Sequence, residues 1–107
     1  MYLQGDIVQV SFDPSIGHEQ RKTRPAVVVS ADDFNLRSSM TMVVPITSTD
    51  NGYPMHVAIE CKAVYGWACV EQARALDLQA RRCRKVGEVD AEAMSAILGR
   101  VGAMFGI

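Results

Sequence analysis

The sequence contains few cysteines and no long apolar run. Its three cysteines, Cys61, Cys69 and Cys83, are odd in number and form no CxxC pair. This argues against a disulfide framework and against a thiolate zinc site, so we expect all three to be small core or surface residues. Although 49% of the residues are apolar, no window approaches the roughly 18 uninterrupted apolar residues that span a bilayer. The sequence therefore predicts a soluble protein that is not inserted in a membrane.

An export signal and an excess of positive charge are also missing. The N-terminus MYLQGDIV has no basic flank followed by an apolar stretch and a small-residue cleavage site, which predicts a cytoplasmic location. A formal net charge of -1 does not indicate a nucleic-acid binder, because phosphate contacts usually require a basic footprint. Cations nevertheless cluster in residues 21–24 and 74–85. They form a basic face only if the fold brings them together, and ordinary solvated charge is the competing explanation.

No metal-binding motif is recognisable. The two histidines, His18 and His56, are far apart and show no ligand spacing. Neither an HExxH motif nor an aspartate-rich loop occurs. We therefore expect no metal and no cofactor.

What the chain does contain is a series of short strands. Without a repeat or a linker, its 107 residues suit one domain. Each predicted strand either alternates apolar and polar residues or is a β-branched run. Asn51–Gly52 lies in a loop between two of these strands and suits positive φ. Their number and spacing predict a small barrel-like sheet. The predicted strands are DIVQVSF, PAVVVS, MTMVVPI, MHVAIE, WACVEQ, RALDL and RKVGEV.

The C-terminus has the pattern of an amphipathic helix. Asp90 is a suitable N-cap, and Glu92 lies in the first turn, where the helix dipole favours an anion. Small residues fill much of the opposite side and would permit a second close contact, for example with another subunit. The segment ADDFNLR predicts a shorter helical turn between two strands. The apolar stripe of the C-terminal helix, predicted to face the core, consists of Met94, Ile97, Leu98, Val101, Met104 and Phe105.

Candidate chemistry lies at the ends of two predicted strands. Pro25 restricts Arg24 to an extended conformation, which fixes a guanidinium at the start of a strand. The segment GHEQRK before it supplies a histidine, an acid and several donors. Thr47, Ser48 and Thr49 follow a second strand, where their hydroxyl groups can donate to a phosphate.

These residue types suit cleavage of an RNA phosphodiester. RNA carries its own nucleophile, the 2′-hydroxyl, so an enzyme needs a base, a donor for the leaving oxygen and a cation for the charge on phosphorus. Arginine suits the last role because its planar fork can bind two phosphate oxygens. Taken alone, however, such a loop is more often a solvated surface, and Ser/Thr runs more often complete turns. Composition and spacing leave both interpretations open.

An ordered resemblance spans nearly the whole chain. The segment GDIVQVSFDPSIGHEQRKTRPAVVVS resembles the N-terminal signature of the MazF/PemK/Kid family of toxin endoribonucleases. The likeness continues through FN, VVPITS, GYP, EQARALDLQAR and the terminal helix. It implies one toxin domain over residues 1–107, with a mainly β, α+β fold: a small SH3-like β-barrel of the CcdB/PemK type with a C-terminal amphipathic helix.

The resemblance also implies a reaction. Family members cleave single-stranded RNA, commonly messenger RNA, at short sequences without a metal, leaving a 2′,3′-cyclic or 3′-phosphate and a 5′-hydroxyl. The family's catalytic roles fall on Arg24, which would bind phosphate and stabilise the transition-state charge, and on Thr47, which would hydrogen-bond the scissile phosphate. The candidates for acid–base catalysis are His18, Glu19 and Glu71.

Two positions depart from the family pattern. Glu71 stands where several family members have aspartate, and Cys69 stands where one branch has arginine. The identity of the general base therefore stays open among His18, Glu19 and Glu71.

Further positions are candidates for RNA contact. Trp67, Tyr53 and Phe34 are aromatic side chains that can stack on bases, although core or loop anchoring is the commoner role. The candidate RNA-binding residues are Gln20, Arg21, Lys22, Ser48, Gln72 and Arg81.

The same resemblance implies protein partners. We expect a homodimer with a composite RNA groove and a cognate antitoxin whose acidic segment blocks Arg24, together with antitoxin-mediated operator DNA binding. Two alternatives are a CcdB-type toxin that binds gyrase without nuclease activity and an inactive homologue that only binds RNA. The Glu-Gln/Arg-Pro loop and the Pro-Ile-Thr segment favour the nuclease over the gyrase-binding toxin. The presence of Arg24 and Thr47 argues against the inactive homologue.

Overall fold

The computed structural model describes residues 1–12 and 23–107. The segment GHEQRK, which contains several of the predicted site residues, lies outside these residues. Within them the sheet contains seven strands, and a 3₁₀ helix covers Val70–Gln72. The strands are β1 (Asp6–Ser11), β2 (Thr23–Val28), β3 (Thr41–Thr47), β4 (His56–Glu60), β5 (Tyr65–Cys69), β6 (Arg74–Leu76) and β7 (Cys83–Glu88); the helices are α1 (Asp32–Arg37) and α2 (Ala91–Met104).

The strands form one curled antiparallel sheet. Its order is β4-β5-β3-β2-β1-β7, and β6 pairs with β3 beside this path. The register between β1 and β7 shifts at Ile7/Val8, as in a β-bulge, which increases the local bend of a sheet. The result is a half-barrel with a C-terminal helix, so the predicted α+β fold built on a small barrel is confirmed.

Both faces of the central strands are buried. On one face Ile7, Val27 and Val44 pack in a cluster that includes Ile97 of α2. On the other face Val8 and its neighbours from β2, β3 and β6 form a second cluster. Successive residues of a strand point to opposite faces, so burial of both faces explains why β2 and β3 are continuous β-branched runs.

Two predicted elements differ in detail. The predicted strand WACVEQ ends at Cys69, because Val70–Gln72 turns into the 3₁₀ helix. The α2 stripe is only partly a core face: Ile97 is fully buried, but Leu98 is 38% and Phe105 is 73% exposed. Met94 and Val101 of the predicted stripe also pack against the core, and so do the small residues Ala93 and Ala96, which allow the helix to approach the sheet closely.

The local predictions for Asp90 and Gly52 are confirmed. Asp90 caps α2 by accepting a hydrogen bond from the Ala93 amide, and Gly52 has a positive φ of 69°. All three cysteines are free thiols. None of the helices in the described ranges has the length and apolar character needed to cross a membrane.

Candidate active site

Strands β2 and β3 bring Arg24 and Thr47 to the same edge of the sheet. Ala26 pairs with Pro45, and continuing this antiparallel register by two residues places Arg24 opposite Thr47. Arg24 is exposed at the start of the apolar run, and Pro25 restricts its backbone to an extended conformation. An open cavity of about 230 Å³ is lined by Thr23, Arg24, Pro25, Ile46, Thr47, Ser48 and Tyr65.

The Thr47 side chain is oriented by its own loop. Its Oγ1 accepts a hydrogen bond from the Thr49 amide at 3.2 Å, while the hydroxyl proton can donate to another group. The Thr47 backbone is fixed from the other side by Gly66 of β5. A Cβ added to Gly66 would overlap the Thr47 carbonyl oxygen and would lie 2.9 Å from Ile46 Cγ2. The close approach of β5 to β3 therefore requires glycine at this position.

Arginines from both halves of the chain converge beside the cavity. The guanidinium carbons of Arg24 and Arg74 lie 5.9 Å and 5.4 Å from the centroid of the Phe12 ring, within the range of cation–π attraction. Arg81 donates to the Ser11 carbonyl oxygen at 2.9 Å, and Ser11 pairs with Thr23 of the cavity wall. The fold therefore brings Arg24 of the first basic segment to the same part of the surface as Arg74 and Arg81 of the second.

Not every cation of the second basic segment belongs to this group. Lys85 forms ion pairs with Asp6 at 3.2 Å and with Glu88 at 2.7 Å. The hydrogen bonds to Glu88 and Asp6 raise the pKa of the Lys85 ammonium above its ordinary value. Lys85 is thus engaged with carboxylates of β1 and β7.

A histidine and a glutamate form a second pair near the site. His56 Nε2 lies 3.0 Å from Glu71 Oε2. The His56 side chain is 4% exposed and that of Glu71 is 28% exposed, so the imidazole is buried and the carboxylate reaches solvent. Among the described residues His56 Nδ1 finds no hydrogen-bond partner. A neutral imidazole can donate from Nε2 to the Glu71 carboxylate and so hold it in place. The atom without a partner, Nδ1, is then a hydrogen-bond acceptor and not a donor.

Cys69 connects this pair to the cavity. It is buried and directly opposite His56 in the β4–β5 register. Burial, and then the negative charge of Glu71, raise the pKa of its thiol above the ordinary value, whereas Arg24 and a hydrogen bond with the Thr47 backbone act in the opposite direction. The β3–β5 pairing places Cys69 near Thr47 of the cavity wall, and its sulfur also lies within 4.8 Å of donor atoms of His56 and Glu71.

One aromatic side chain lines the cavity, and a predicted one, Trp67, lies beside it. Tyr65 lines the cavity and is 68% exposed, and its ring contacts that of Trp67 edge to face at 5.8 Å. Tyr53 packs edge to face on His56, at 5.4 Å between ring centroids. Phe34 lies on α1 and is half-exposed. Tyr65 is the aromatic group best placed to stack on a base beside Arg24.

The remaining predicted site residues fall into two groups. Ser48 lines the cavity, and Gln72 follows Glu71 at the end of the 3₁₀ helix. The predicted residues that lie outside the described ranges are His18, Glu19, Gln20, Arg21 and Lys22.

His56 and Tyr65 are site residues that the sequence analysis missed. The spacing between His18 and His56 along the sequence carries no information about a partner of His56 on another strand. The available signal was the strand assignment itself: pairing MHVAIE with WACVEQ in antiparallel register brings His56 opposite Cys69. For Tyr65, the signal was its position at the start of the strand that pairs with Thr47.

The cavity at Arg24 is identified by its lining residues and not by its volume. Two larger cavities, of about 420 Å³ and about 370 Å³, occur elsewhere on the described surface. Neither is lined by an arginine or lysine side chain, and the second contains Glu60, Asp90 and Glu92. Carboxylates repel phosphate, so of these three cavities the smaller one at Arg24 has the chemistry that best suits a phosphate group.

Comparison with known proteins identifies the family. Residues 3–105 match the family model described as PemK-like, MazF-like toxin of type II toxin-antitoxin system. The chain is 39% identical over 109 residues to the endoribonuclease toxin ChpB of Escherichia coli K12, and the match covers 96% of this chain and 93% of that protein.

Solved structures show the same relationship. A crystal structure of MazF from Deinococcus radiodurans is 31% identical, with a TM-score of 0.85 and coverage of 99% of this chain and 97% of that one. A MazE–MazF complex from the same organism is 26% identical, with a TM-score of 0.84 and coverage of 99% and 96%. This chain therefore belongs to the PemK-like, MazF-like toxin family of type II toxin–antitoxin systems.

Proposed function

We propose that the chain is a toxin endoribonuclease that cleaves single-stranded RNA at specific sequences by a metal-independent mechanism. The observation that carries this proposal is the meeting of Arg24, Thr47 and Ser48 in one open cavity. The relative described above as an endoribonuclease toxin supports the assignment. A CcdB-type gyrase toxin would not need a guanidinium and hydroxyl groups gathered in one cavity.

In the proposed reaction the RNA 2′-hydroxyl attacks the adjacent phosphorus. Arg24 binds the phosphate oxygens and stabilises the charge that develops on them, and the Thr47 hydroxyl donates to the same group. Glu71 accepts the proton of the 2′-hydroxyl, and His56 holds its carboxylate from 3.0 Å away. The 5′-oxygen leaves with a proton, for which His18 and Glu19 are candidate donors. The products are a 2′,3′-cyclic phosphate and a 5′-hydroxyl.

Glu71 suits the role of base for a physical reason. Its side chain is 28% exposed, whereas that of His56 is 4% exposed. The carboxylate can therefore reach a bound nucleotide while the imidazole remains in the core. This arrangement, a partly exposed base oriented by a buried donor, follows the general pattern of acid–base sites.

The proposal includes partners and location. The MazE–MazF complex supports a cognate antitoxin, whose acidic segment would cover Arg24, Arg74 and Arg81, and operator DNA would be bound through that antitoxin. The exposed apolar residues Leu98 and Phe105 of the α2 region support a homodimer; sedimentation of a pure monomer at micromolar concentration would contradict it. We place the protein in the cytoplasm, where messenger RNA is accessible.

The nuclease proposal is tested with purified, antitoxin-free protein and a long RNA in EDTA. We expect a small set of discrete cuts with 2′,3′-cyclic phosphate and 5′-hydroxyl ends. Arg24→Ala and Thr47→Ala should each lower the cleavage rate by about 10²–10³-fold, the usual effect of removing a donor to a developing oxyanion. A single 2′-deoxynucleotide on the 5′ side of a mapped cut should abolish that cut alone.

Arg37→Ala is the matched control. Arg37 is an exposed arginine on α1 that pairs with Asp33 at 3.0 Å, and its side chain is 76% exposed. It should cleave at the wild-type rate. Absence of discrete cuts with folded protein would overturn the proposed activity, and full activity of both cavity variants would overturn the proposed site.

A further inference from the structure

Three side chains with metal-binding atoms meet beside the proposed active site. His56 and Cys69 are directly paired in the β4–β5 register, and Glu71 follows two residues later in the 3₁₀ helix. One donor atom from each of the three residues lies within 4.8 Å of the others. Pairing between strands that are distant in the sequence brings this group together, so no local sequence motif identifies it.

The donors are those that zinc prefers. Imidazole, thiolate and carboxylate are all zinc ligands, and at bond lengths of about 2.0–2.3 Å a tetrahedral ion holds such donors about 3.4–3.6 Å apart. The observed separations, 3.0 Å between His56 Nε2 and Glu71 Oε2 and at most 4.8 Å within the group, need side-chain shifts of about 1 Å to fit those bond lengths. We propose that His56, Cys69 and Glu71 form a three-ligand Zn²⁺ site whose occupation inhibits the enzyme.

The charges of such a site balance. Zinc binding displaces the thiol proton of Cys69 to solvent, so one thiolate and one carboxylate neutralise the divalent ion. Cys69 and His56 are buried, whereas the Glu71 side chain is 28% exposed. Zinc would enter from the Glu71 side, and a water molecule would complete the tetrahedron there.

The site is suited to reversible binding. Zinc at Nε2 places the ring proton of His56 on Nδ1, and within the described part of the chain that atom has no hydrogen-bond acceptor. Permanent zinc sites usually provide such an acceptor, which orients the ring and strengthens binding. Its absence from the described residues, together with only three protein ligands, predicts an ion that chelators remove easily.

Inhibition follows from the position of the site, and this part of the inference rests on the proposed function. Glu71 cannot accept the 2′-hydroxyl proton while its oxygen binds zinc. The β3–β5 pairing places Cys69 near Thr47 of the cavity wall, so the ion would also lie close enough to compete with the Arg24 guanidinium for the phosphate. The proposed reaction needs no metal. A zinc ion that blocks Glu71 would therefore act only as an inhibitor.

Binding is tested directly with Co²⁺ as a spectroscopic probe and Zn²⁺ as competitor. The chain offers matched controls, because all three cysteines are free. We expect a thiolate-to-cobalt charge-transfer band at one ion per chain in the wild type, in Cys61→Ser and in Cys83→Ser, and its loss in Cys69→Ser. By calorimetry, Cys69→Ser and His56→Gln should each weaken Zn²⁺ binding by at least about tenfold, since even indirect supports of a metal site contribute that much.

Inhibition is measured separately. A slight molar excess of Zn²⁺ should stop RNA cleavage by the wild type and by Cys83→Ser, EDTA should restore it, and Cys69→Ser should cleave with or without zinc. Arg24→Ala should retain the cobalt band although it does not cleave. The metal-site proposal is overturned if the band persists in Cys69→Ser or is absent from the wild type. Binding without inhibition overturns only the regulatory part, and a band in a protein that cleaves no RNA separates the metal site from the proposed nuclease function.

Discussion

At the scale of single residues, the proposed mechanism depends on the His56–Glu71 pair, because this pair supplies and orients the proposed base. A carboxylate on a short 3₁₀ helix is free to rotate unless another group holds it. The buried imidazole, 3.0 Å away, is that group. His56 is therefore a positioning residue, and its effect on the reaction passes through Glu71.

This role predicts a distinct pattern among variants. Glu71→Gln should lower kcat by about 10²–10⁴-fold, the usual contribution of a general base. His56→Ala should lower kcat more than it changes KM, because it leaves the RNA-binding arginines intact. His56→Gln retains an amide donor and should recover part of the rate. The measurement is steady-state cleavage of a short RNA that contains one mapped site.

A purely structural role of His56 would give another result. Thermal unfolding of each variant distinguishes a positioning role from a structural role. His56 is buried, so its removal also creates a void and lowers stability. Equal losses of activity in His56→Ala and His56→Gln, in step with their losses of stability, would contradict the positioning role. Wild-type activity of Glu71→Gln would remove Glu71 from the mechanism.

At the scale of elements, the close packing of β5 on β3 determines where Thr47 lies. Gly66 contacts the Thr47 backbone so closely that a methyl group cannot fit. Gly66→Ala should therefore displace the end of β3, with a cost of about 1–3 kcal/mol in the free energy of unfolding. We expect cleavage to fall more steeply than stability, because a donor displaced by even about 1 Å no longer fits the transition state.

Gly99→Ala is the control for this prediction. Gly99 lies within α2, and a Cβ added there has no atom within 4 Å. Since alanine favours helix by about 0.8–1.0 kcal/mol over glycine, this variant should be equally or more stable and fully active. Urea unfolding and cleavage rates measure both effects. If Gly66→Ala behaves like Gly99→Ala, the contact between β5 and Thr47 does not constrain the site.

The sequence predicted elements better than contacts between them. Alternation in MHVAIE and the β-branched run MTMVVPI reflect burial within one strand, so β4 and β3 could be recognised locally. The pairing of His56 with Cys69 depends on the β4–β5 register, which no local pattern encodes. Similarly, the exposure of Leu98 depends on which side of α2 packs on the sheet. The family resemblance indicates Arg24 and Thr47 as site residues. Only the structure shows that they line the same cavity.

At the scale of the whole molecule, charge is distributed unevenly although its sum is close to zero. The net charge is -1, yet Arg24 and Arg74 both lie over Phe12, and Arg81 binds the end of β1. Acidic side chains line another cavity, at Glu60, Asp90 and Glu92. A local cluster of arginines can bind phosphates without a basic protein, because screening confines such effects to about 8–10 Å at physiological salt.

This cluster predicts the salt dependence of RNA binding. Binding of a short RNA to Thr47→Ala, which cleaves slowly, should weaken linearly with the logarithm of salt concentration, by a slope of about -0.7 for each phosphate contacted. Arg74→Ala should reduce the magnitude of that slope by about 0.7, because one phosphate contact is lost. Arg37→Ala, which removes an equal charge from the exposed surface of α1, should leave the slope unchanged. Fluorescence anisotropy at several salt concentrations measures these slopes. Equal slopes for the Arg74 and Arg37 variants would show that Arg74 acts only through net charge and would remove it from the RNA-binding surface.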